Sequence, residues 1–321
     1  MHSKEQTVLF KQLFFIFILS SMLHARYTNC HFKNKNYTDI CKKAVHSGVS
    51  YKYANKFLLS YPKMTTFDEI TWKYIQPSKI TYHRQQEKKA NDTLVKYVPT
   101  MVENLKKYKK VYAYAQKRYH VNREIIAAVL FKETRLGKIH PKHDAFIVFN
   151  TILTRTKPTS KRQKWLIKMS KNNMVAIIRH CYKKRVSPNS CNLASSYAGA
   201  VGIPQFMPSS FKYTEGYRHR VANLSKMEDA ILSTAKFLNK KAGFKKAIAW
   251  DKMNNIAQVE NDWYNFSYED KNASFTHQYV LNKPELTYLT KYVKIILHYN
   301  YSINYALGVL RLGYEAHKRL N

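Results

Sequence analysis

The sequence predicts a mainly α-helical protein, and two observations support that fold class. Only eight glycines and nine prolines occur among the 321 residues, so few positions favour tight turns or end a helix. Apolar residues recur at intervals of three and four over long stretches, which is the spacing of one helix face. Short runs such as residues 79–82 allow a few short strands. The chain is long enough to bury a substantial core as one domain.

The clearest helical pattern lies between Asn122 and Gly137, in the sequence NREIIAAVLFKETRLG. Ile126, Val129 and Leu130 recur at helical spacing and define an apolar face. Asn122 is a residue type that caps the first turn through its side chain, and Gly137 is predicted to end the helix.

Glu133 lies on the apolar face of this helix, four residues after Val129 and three after Leu130. A carboxylate that faces inward is costly unless it has a use. The negative end of the helix dipole and desolvation both disfavour its charged form, so the sequence predicts a raised pKa and a general-acid role. A structural glutamate paired with a lysine or arginine is the competing interpretation.

The charge of the chain is strongly basic. The formal net charge of +35 arises from 55 Lys and Arg residues against 20 Asp and Glu residues. Between Asp144 and Glu215 there is no acidic residue, whereas twelve Lys or Arg residues occur. Such a chain is expected to bind an anionic polymer: nucleic acid, acidic lipid or a carboxylate-rich cell wall.

The N-terminus predicts export. Lys4 and Lys11 precede an apolar run over residues 13–23, which is shorter than the roughly 20 residues that span a bilayer. Residues 1–25 are therefore predicted to be a signal peptide or a short N-terminal anchor. The protein is expected in the periplasm or the cell envelope. Residues 26–321 are predicted to form a single domain, with a catalytic core over about 92–321.

Four cysteines suit an exported protein with two disulfides. Three pairings are possible, and spacing favours the local ones, Cys30 with Cys41 and Cys181 with Cys191. None of the four belongs to a C-x-x-C motif, and the histidines lack metal-ligand spacing. We predict no metal and no cofactor.

The other elements are less distinct. Residues 61–95 have no clear periodicity, and the run at 79–82 suits a strand or an extended loop. Ser302 is expected to cap the last helix. Residues 250–284 are predicted to be irregular. The remaining helices are predicted over residues 31–60 (with a turn), 92–120, 226–240, 284–299 and 303–319.

A second informative stretch is SSYAGAVGIPQFMPSS, at residues 195–210, which contains two of the eight glycines and two of the nine prolines. Clustered glycine marks a backbone that bends tightly or allows a close approach. Gln205 and the serine hydroxyls are suited to hydrogen-bond a sugar, and Tyr197 and Phe206 to stack on its apolar face. An ordinary connection between two helices is the alternative interpretation.

Three blocks, at residues 121–137, 195–210 and 299–312, together resemble the B-type lytic murein transglycosylases. The first carries E-T-R-x-G, and the second, about sixty residues later, carries G-x-x-G-x-x-Q-F-M-P-S-S. The third, YNYSINYALGVLRL, is less specific. The resemblance extends from about residue 40 to 315 and implies a lysozyme-like helical catalytic domain.

The resemblance also implies the roles of individual residues. Glu133 becomes the single catalytic acid and base. Ser196 and Gln205 become saccharide-binding residues, as do Tyr299 and Asn300 in the third block. The implied partner is peptidoglycan, with proteins of the cell envelope as further partners, and no nucleic acid is expected.

The chain departs from the family pattern at several points. Leu136 stands where a large aromatic residue is often found, and Ile203 and Pro204 replace a more flexible pair before Gln205. Some relatives carry a calcium-binding D-x-D-x-D-G loop, but residues 213–229 hold too few acids for one.

The implied reaction cleaves the β-1,4 bond between N-acetylmuramic acid and N-acetylglucosamine and forms 1,6-anhydromuramic acid. Ordinary glycosidases use two carboxylates, whereas the surroundings of Glu133 are poor in acids. Two alternatives remain open. One is a hydrolytic muramidase that uses Asp144 or Glu215 as its second carboxylate. The other is a non-catalytic binder of an anionic polymer.

Overall fold

The computed structural model describes residues 30–60, 66–219, 221–253, 255–269 and 286–321. The structure is 67% helical and 2% strand, which confirms the mainly α prediction with a few short strands. The predicted signal or anchor lies outside the described residues. Within them, no helix has the length and apolar character needed to cross a bilayer.

The chain divides into two compact units. The described residues of the first are 30–60, 66–69 and 143–193, and the second takes in the remainder. The predicted catalytic core of residues 92–321 therefore corresponds mainly to the second unit. A single domain over 26–321 stays a prediction, because a compact unit need not be an independent domain.

The first unit is a small helical body closed by two disulfides. Phe57 and Phe146 pack with ring centroids 5.1 Å apart in its core. Cys30 is bonded to Cys41 and Cys181 to Cys191, with Cα atoms 5.7 and 6.0 Å apart, which confirms the predicted pairing. The elements of this unit are α1 (Lys35–His46), α2 (Tyr51–Ser60), β1 (His143–Asp144), α8 (Ala145–Arg155), α9 (Lys161–Lys183) and a 3₁₀ turn (Pro188–Ser190).

The second unit packs its helices around a large hydrophobic core, and Phe206, Leu224 and Phe237 form a second, smaller cluster. Its elements are α3 (Glu69–Tyr74, whose first residue belongs to the first unit), α4 (Pro77–Lys96), α5 (Val98–Lys107), α6 (Lys109–Tyr119), α7 (Arg123–Thr134), β2 (Ala194–Ser195), α10 (Met227–Lys240), α11 (Ile256–Glu269), α12 (Thr287–Ile296) and α13 (Ile303–Leu320). Two 3₁₀ helices, Pro208–Tyr213 and Trp250–Met253, lie between them.

Helix α7 is buried on every side. All residues from 124 to 131 are buried, including those that the sequence pattern leaves off the apolar face. A helix that is covered all round is held by packing rather than by one amphipathic stripe. Its direction and its last turn are therefore fixed by the surrounding helices.

The ends of α7 differ in detail from the prediction. Asn122 stands at the N-cap, but its side chain makes no capping bond and instead pairs with the backbone of Ile248, at 2.6 and 3.1 Å. The helix ends at Thr134 because Arg135 and Leu136 adopt left-handed conformations, three residues before Gly137. Ser302 does cap α13, where its hydroxyl accepts the amide of residue 305 at 3.2 Å.

Three predictions of secondary structure are wrong. Residues 79–82 lie inside α4 rather than in a strand, because Pro77 in the first turn loses no helical bond and α13 packs against the helix. The helix predicted over 92–120 is three helices, interrupted at Tyr97, just before Pro99, and at Tyr108. Of the segment predicted to be irregular, residues 256–269 form α11, and residues 270–285 lie outside the described chain.

A close approach between α4 and α13 depends on Gly308. A Cβ at this position would overlap the side-chain amide of Asn91, which is fully buried. The Asn91 Nδ2 donates to Oε1 of Glu260 at 2.6 Å and to the carbonyl of Asn304 at 2.9 Å. The absence of a side chain at 308 therefore allows three helices to share one amide.

The variant Gly308→Ala tests this approach. Alanine stabilises an exposed helix by roughly 0.5–1 kcal/mol relative to glycine, but here overpacking should lower the free energy of unfolding by about 1–3 kcal/mol. Urea denaturation measures the sign. In an Asn91→Ala background the same change should cost little, and a stabilised single variant would contradict the close contact.

The second disulfide closes a loop across residues 181–191. Its removal in Cys181→Ser/Cys191→Ser should lower the free energy of unfolding by about 3 kcal/mol, because the unfolded chain regains loop entropy. Denaturation with and without reductant measures this. Reductant should still weaken the variant through the Cys30–Cys41 bond, and equal stability of the variant and the wild type would refute the prediction.

Candidate active site

Glu133 lies in the last turn of α7, where the sequence pattern predicts it. Its side chain is partly exposed, although the helix that carries it is buried. The hydroxyl of Tyr305, in α13, donates a hydrogen bond of 2.6 Å to its Oε1. Among the described residues, no lysine or arginine lies within ion-pair distance of this carboxylate. The described side chains therefore give no support to the competing interpretation of a structural glutamate paired with a lysine or arginine.

The surroundings raise the pKa of Glu133 from its ordinary 4.5 to about 7, which confirms the predicted direction. Desolvation by burial is the main cause, because a charge is poorly stabilised where water is excluded. The Tyr305 hydrogen bond and the positive charge of Lys132 oppose the rise in pKa, and the negative charge of Glu87 adds to it. Near neutral pH this group is able to give and take a proton.

The three blocks that carry the family resemblance meet at this carboxylate. Thr134, next to Glu133, donates its hydroxyl to the carbonyl of Ile203 at 2.9 Å. Tyr299, in the third block, donates to the carbonyl of Pro204 in the second block at 2.5 Å. Tyr305, also in the third block, donates to Glu133 in the first block. Segments far apart in sequence are thus fixed around one acid by three side-chain hydrogen bonds.

The 195–210 segment is a compact turn structure rather than a connection between helices. Val201 and Phe206 form an antiparallel bridge through paired backbone bonds of 2.9 and 3.0 Å. Gly202 has φ 73°, and a Cβ there would lie 2.8 Å from the carbonyl oxygen of Leu224. Gln205 also adopts a left-handed conformation, with φ 50°. The clustered glycine thus marks both a tight bend and a close approach.

Gln205 and Ser196 both have polar atoms beside this turn. The Gln205 Nε2 donates to the carbonyl of Gly202 at 2.9 Å, which orients the amide and leaves Oε1 as an acceptor. The Ser196 hydroxyl accepts from the amides of residues 198 and 200 at 3.3 and 3.2 Å, so its own O–H remains a donor. Both side chains are partly exposed.

The aromatic residues of the segment fall into two groups. Tyr197 is partly exposed, and its ring lies 5.1 Å from that of Tyr74. Phe206 is only 3% exposed and packs against Phe237 and Tyr299 at 5.2 and 6.0 Å. A ring enclosed in this way presents no open face to a sugar, so the structure gives Phe206 a packing role instead of the predicted stacking role.

Two tyrosines of the third block form a parallel pair. The rings of Tyr299 and Tyr305 are 6.4 Å apart with an angle of 7° between their planes. Burial and the negative charge of Glu133 raise the pKa of both hydroxyls well above the ordinary range. Both therefore remain hydrogen-bond donors at any working pH. Asn300, predicted with Tyr299, is exposed next to this pair.

Beneath the tyrosines lies a set of buried charges that the sequence does not predict. The Lys132 side chain is 5% exposed, and its ammonium bonds to the amide oxygen of Asn91 and lies 3.5 Å from Oε1 of Glu87. Glu87 also accepts the hydroxyl of Ser302 at 2.6 Å. The position of Lys132 next to Glu133 is visible in the sequence, but nothing in the sequence indicates that Lys132 contacts Glu87 and Asn91 of α4.

The acids proposed as second carboxylates are already engaged. Asp144 caps α8, accepting from the amides of residues 146 and 147 at 2.8 and 3.2 Å. Glu215 accepts the hydroxyl of Tyr119 at 2.5 Å and pairs with Arg118 and Lys236 at 3.1 and 3.4 Å.

Asp229, in the region where some relatives bind calcium, accepts the amides of Tyr217 and Asn223 at 2.8 and 2.6 Å. It also lies 3.1 Å from the His219 ring. Hydrogen-bond donors of the protein thus occupy its oxygens. In the described part of the chain, no three His, Cys, Asp or Glu side chains gather in a way that suits a metal ion.

Comparisons with known proteins agree with this architecture. The sequence matches the family described as Transglycosylase SLT domain over residues 33–314. No curated protein matches the chain. Among solved structures, SltB1 of Pseudomonas aeruginosa has a TM-score of 0.60 at 18% identity, over 90% of this chain and 99% of SltB1. Slt35 of Escherichia coli, in complex with bulgecin A, has a TM-score of 0.54 at 18% identity, over 90% and 95%.

A further structure, SltB3 of Pseudomonas aeruginosa, has a TM-score of 0.47 at 17% identity, and this chain spans 54% of its length. The likeness to SltB1 and Slt35 shows a shared fold and confirms the lysozyme-like prediction. The family match covers most of the sequence and confirms the resemblance drawn from its three blocks. The chain therefore belongs to the transglycosylase SLT domain family.

Proposed function

We propose that the protein is an exported lytic transglycosylase of peptidoglycan that uses Glu133 as its only acid and base. The observation that carries this proposal is a single carboxylate with a pKa of about 7, to which no described lysine or arginine is paired, where three segments of the chain converge. The product would be a glycan ending in 1,6-anhydromuramic acid.

In the first step, protonated Glu133 gives its proton to the glycosidic oxygen as the bond between C1 of N-acetylmuramic acid and that oxygen breaks. N-acetylglucosamine leaves with a new hydroxyl. The C6 hydroxyl of the same muramic acid then attacks C1, forms the anhydro bridge and returns its proton to Glu133. Attack from within the sugar benefits from a high effective molarity, so no water needs to be activated.

The hydrogen bonds and ion pairs that already engage the other candidate acids support this mechanism over hydrolysis. An inverting hydrolase needs a second carboxylate roughly 6.5–9.5 Å from the acid, and a retaining one needs it at about 5–5.5 Å. Asp144 is held as a helix cap, and Glu215 is held by two cations. Glu87, whose charge acts on Glu133, is bonded to Ser302 and paired with Lys132.

Ser196, Gln205, Tyr299 and Asn300 are proposed to bind the glycan. The first supplies a hydroxyl donor and the second an amide acceptor, both beside the turn that is bonded to Thr134. Tyr197 offers a partly exposed ring. Neutral donors and acceptors of this kind, together with an aromatic face, suit a sugar.

Charge and disulfides support the proposed location. Cys30–Cys41 and Cys181–Cys191 suit an oxidising compartment such as the periplasm. A net charge of +35 favours adhesion to a wall whose peptide stems carry carboxylates. Envelope proteins would be further partners, and attachment through residues 1–25 remains part of the proposal.

The variant Glu133→Gln tests the proton transfer. It should retain the fold but lose at least about a thousandfold in glycan cleavage, because an amide cannot donate the proton. Digests of purified sacculi, analysed by mass spectrometry, measure both rate and product. Wild-type products that end in anhydromuramic acid support the proposal, whereas reducing muramic acid would show a hydrolase. Full activity of the variant would overturn the role of Glu133.

The activity of the wild type should fall as the pH rises through about 7. General-acid catalysis needs the protonated form, and burial places the pKa of Glu133 near that value. Initial rates on sacculi at constant ionic strength, from pH 5 to 9, measure the alkaline limb. A rate that stays constant to pH 9 would contradict the assignment.

The same raised pKa predicts a difference in stability. A carboxyl whose pKa rises on folding stabilises the protein below its unfolded pKa of about 4.5, and this contribution is lost as the pH rises through about 7. Relative to the wild type, Glu133→Gln should therefore gain about 2–3 kcal/mol between pH 5 and pH 8. Urea denaturation of both proteins at the two pH values measures it. An unchanged difference would indicate an ordinary pKa for Glu133.

A further inference from the structure

We propose that Lys132 is a positioning residue, whose buried ammonium, balanced by Glu87, holds Tyr305 in place and sets the electric field in which Glu133 exchanges its proton. This inference rests on the proposed role of Glu133 and names two residues that neither the family match nor the sequence motifs assign. Lys132 does not contact the reacting atoms in this scheme, because it acts through Tyr305 and through its charge.

The burial of Lys132 is the first observation. Its side chain is only 5% exposed, and an isolated ammonium in such a place is costly. The cost is offset by a hydrogen bond to Oδ1 of Asn91 and by Glu87 at 3.5 Å. Burial lowers the pKa of Lys132, while Glu87 and then Glu133 oppose that fall as the main negative charges. The acids that favour the charged form of this ammonium thus include the catalytic one.

The second observation is that Tyr305 touches both residues. Its hydroxyl donates to Glu133 at 2.6 Å, and the Lys132 ammonium lies over its ring, 5.0 Å from the centroid. A cation over an aromatic face is attracted by the ring quadrupole, most strongly where water is excluded. Lys132 therefore fixes the plane of the ring whose hydroxyl orients the carboxylate. Tyr299, parallel to the same ring, restricts it further.

The third observation is that the Lys132–Glu87 ion pair is joined to further ion pairs by hydrogen bonds. The Asn91 side chain links two ion pairs: its oxygen accepts a hydrogen bond from Lys132, and its Nδ2 donates to Glu260. Glu260 pairs with Arg311 at 2.6 Å. Arg311 in turn pairs with Asp92 at 2.7 Å. Lys88 also pairs with Asp92, at 2.9 Å. The three acids of this network, Glu87, Glu260 and Asp92, are thus matched by three cations, and the network joins α4, α7, α11 and α13 without a large net charge.

The charges that face Glu133 have opposite effects on its proton. Lys132, on the same helix, favours the carboxylate, whereas Glu87 from α4 favours the protonated acid. Tyr305 from α13 donates to the carboxylate, and its hydroxyl and that of Tyr299 stay protonated. Glu260 from α11 acts on Lys132. Removal of one member of the Lys132–Glu87 pair should therefore shift proton loss from Glu133 in a direction set by the sign of the charge removed.

This dependence on sign separates a positioning role from a purely structural one. Loss of a structural ion pair lowers stability whichever partner is removed, but it does not move the alkaline limb of activity in opposite directions. The pair of variants Glu87→Gln and Lys132→Met therefore carries the test. Their combination is also informative, because it leaves neither a buried acid nor a buried cation without its partner.

The experiment measures initial rates on purified sacculi from pH 5 to 9 for the full chain. Glu87→Gln should shift the alkaline limb down by about half to one pH unit, because the positive charge of Lys132 is left to favour the carboxylate. Adding Lys132→Met to it should return the limb to within about 0.2 unit of the wild type. Lys132→Met alone should shift the limb upward and lower the rate at its plateau by about tenfold or more, because Tyr305 loses its support.

The control is the surface pair Lys318–Glu315, whose atoms lie 2.8 Å apart on the same helix as Tyr305. These residues lie ten and thirteen positions beyond Tyr305, about 15–20 Å along the helix axis. Because water screens the pair, Lys318→Met and Glu315→Gln should leave the limb unchanged. They match the test variants in residue type and charge.

A second measurement follows the carboxyl group without activity. Carbon-13 NMR of protein labelled at glutamate carboxyls gives the pKa of Glu133, assigned by the signal that is lost in Glu133→Gln. The same opposite shifts are expected in this titration. It also serves any variant that folds but is too slow to assay, and urea denaturation shows which variants fold.

The outcomes distinguish this inference from the proposed function. If the wild type cleaves sacculi and Glu133→Gln does not, the proposed function stands. The inference is then overturned if the pKa of Glu133 in both single variants stays within about 0.2 unit of the wild type, or shifts in the same direction. A wild type that does not cleave sacculi would refute the proposed function, while the NMR titration would still decide the role of Lys132.

Discussion

The desolvation of one carboxylate is the constraint on which the structure of the site depends. Glu133 stands at the end of a buried helix and its side chain is only partly exposed, so its charge is poorly stabilised by water. The Tyr305 hydroxyl donates a hydrogen bond to it, and the charges of the Lys132–Glu87 pair act on it with opposite signs. This combination keeps the pKa near 7 rather than at either extreme. An acid that must both give and receive a proton needs such an intermediate value.

Local patterns in the sequence were sufficient to predict the helical class, the position of Glu133, the two disulfides and the Ser302 cap. Each of these depends on residues close in the chain: apolar spacing around Glu133, cysteines ten and eleven positions apart, a serine before a helix. The turn at Gly202 was also visible, because glycine is scarce in this sequence. What could be predicted was therefore what short-range geometry determines.

The remaining features depend on contacts between distant segments. Phe206 is of a residue type that stacks on sugars, but Phe237 and Tyr299 enclose its ring. Asn122 is of a residue type that caps helices, but its side-chain amide is hydrogen-bonded to the backbone of Ile248. Helix α4 buries the polar Asn91 as well as the apolar Leu94, and a polar residue on the inner face weakens the apolar periodicity of the sequence. No pattern within α4 could reveal that this amide joins Lys132 to Glu260.

The burial of Glu133 favours catalysis but lowers the stability of the folded protein. Burial that raises the pKa of Glu133 makes it an acid at neutral pH, and it also makes its ionisation unfavourable to the fold. A cation placed directly against Glu133 would remove that cost, but it would hold the group as a carboxylate and abolish proton donation. The Lys132 ammonium instead lies over the ring of Tyr305, and the opposite charge of Glu87 balances it. The network therefore orders the residues around the acid while leaving its proton available.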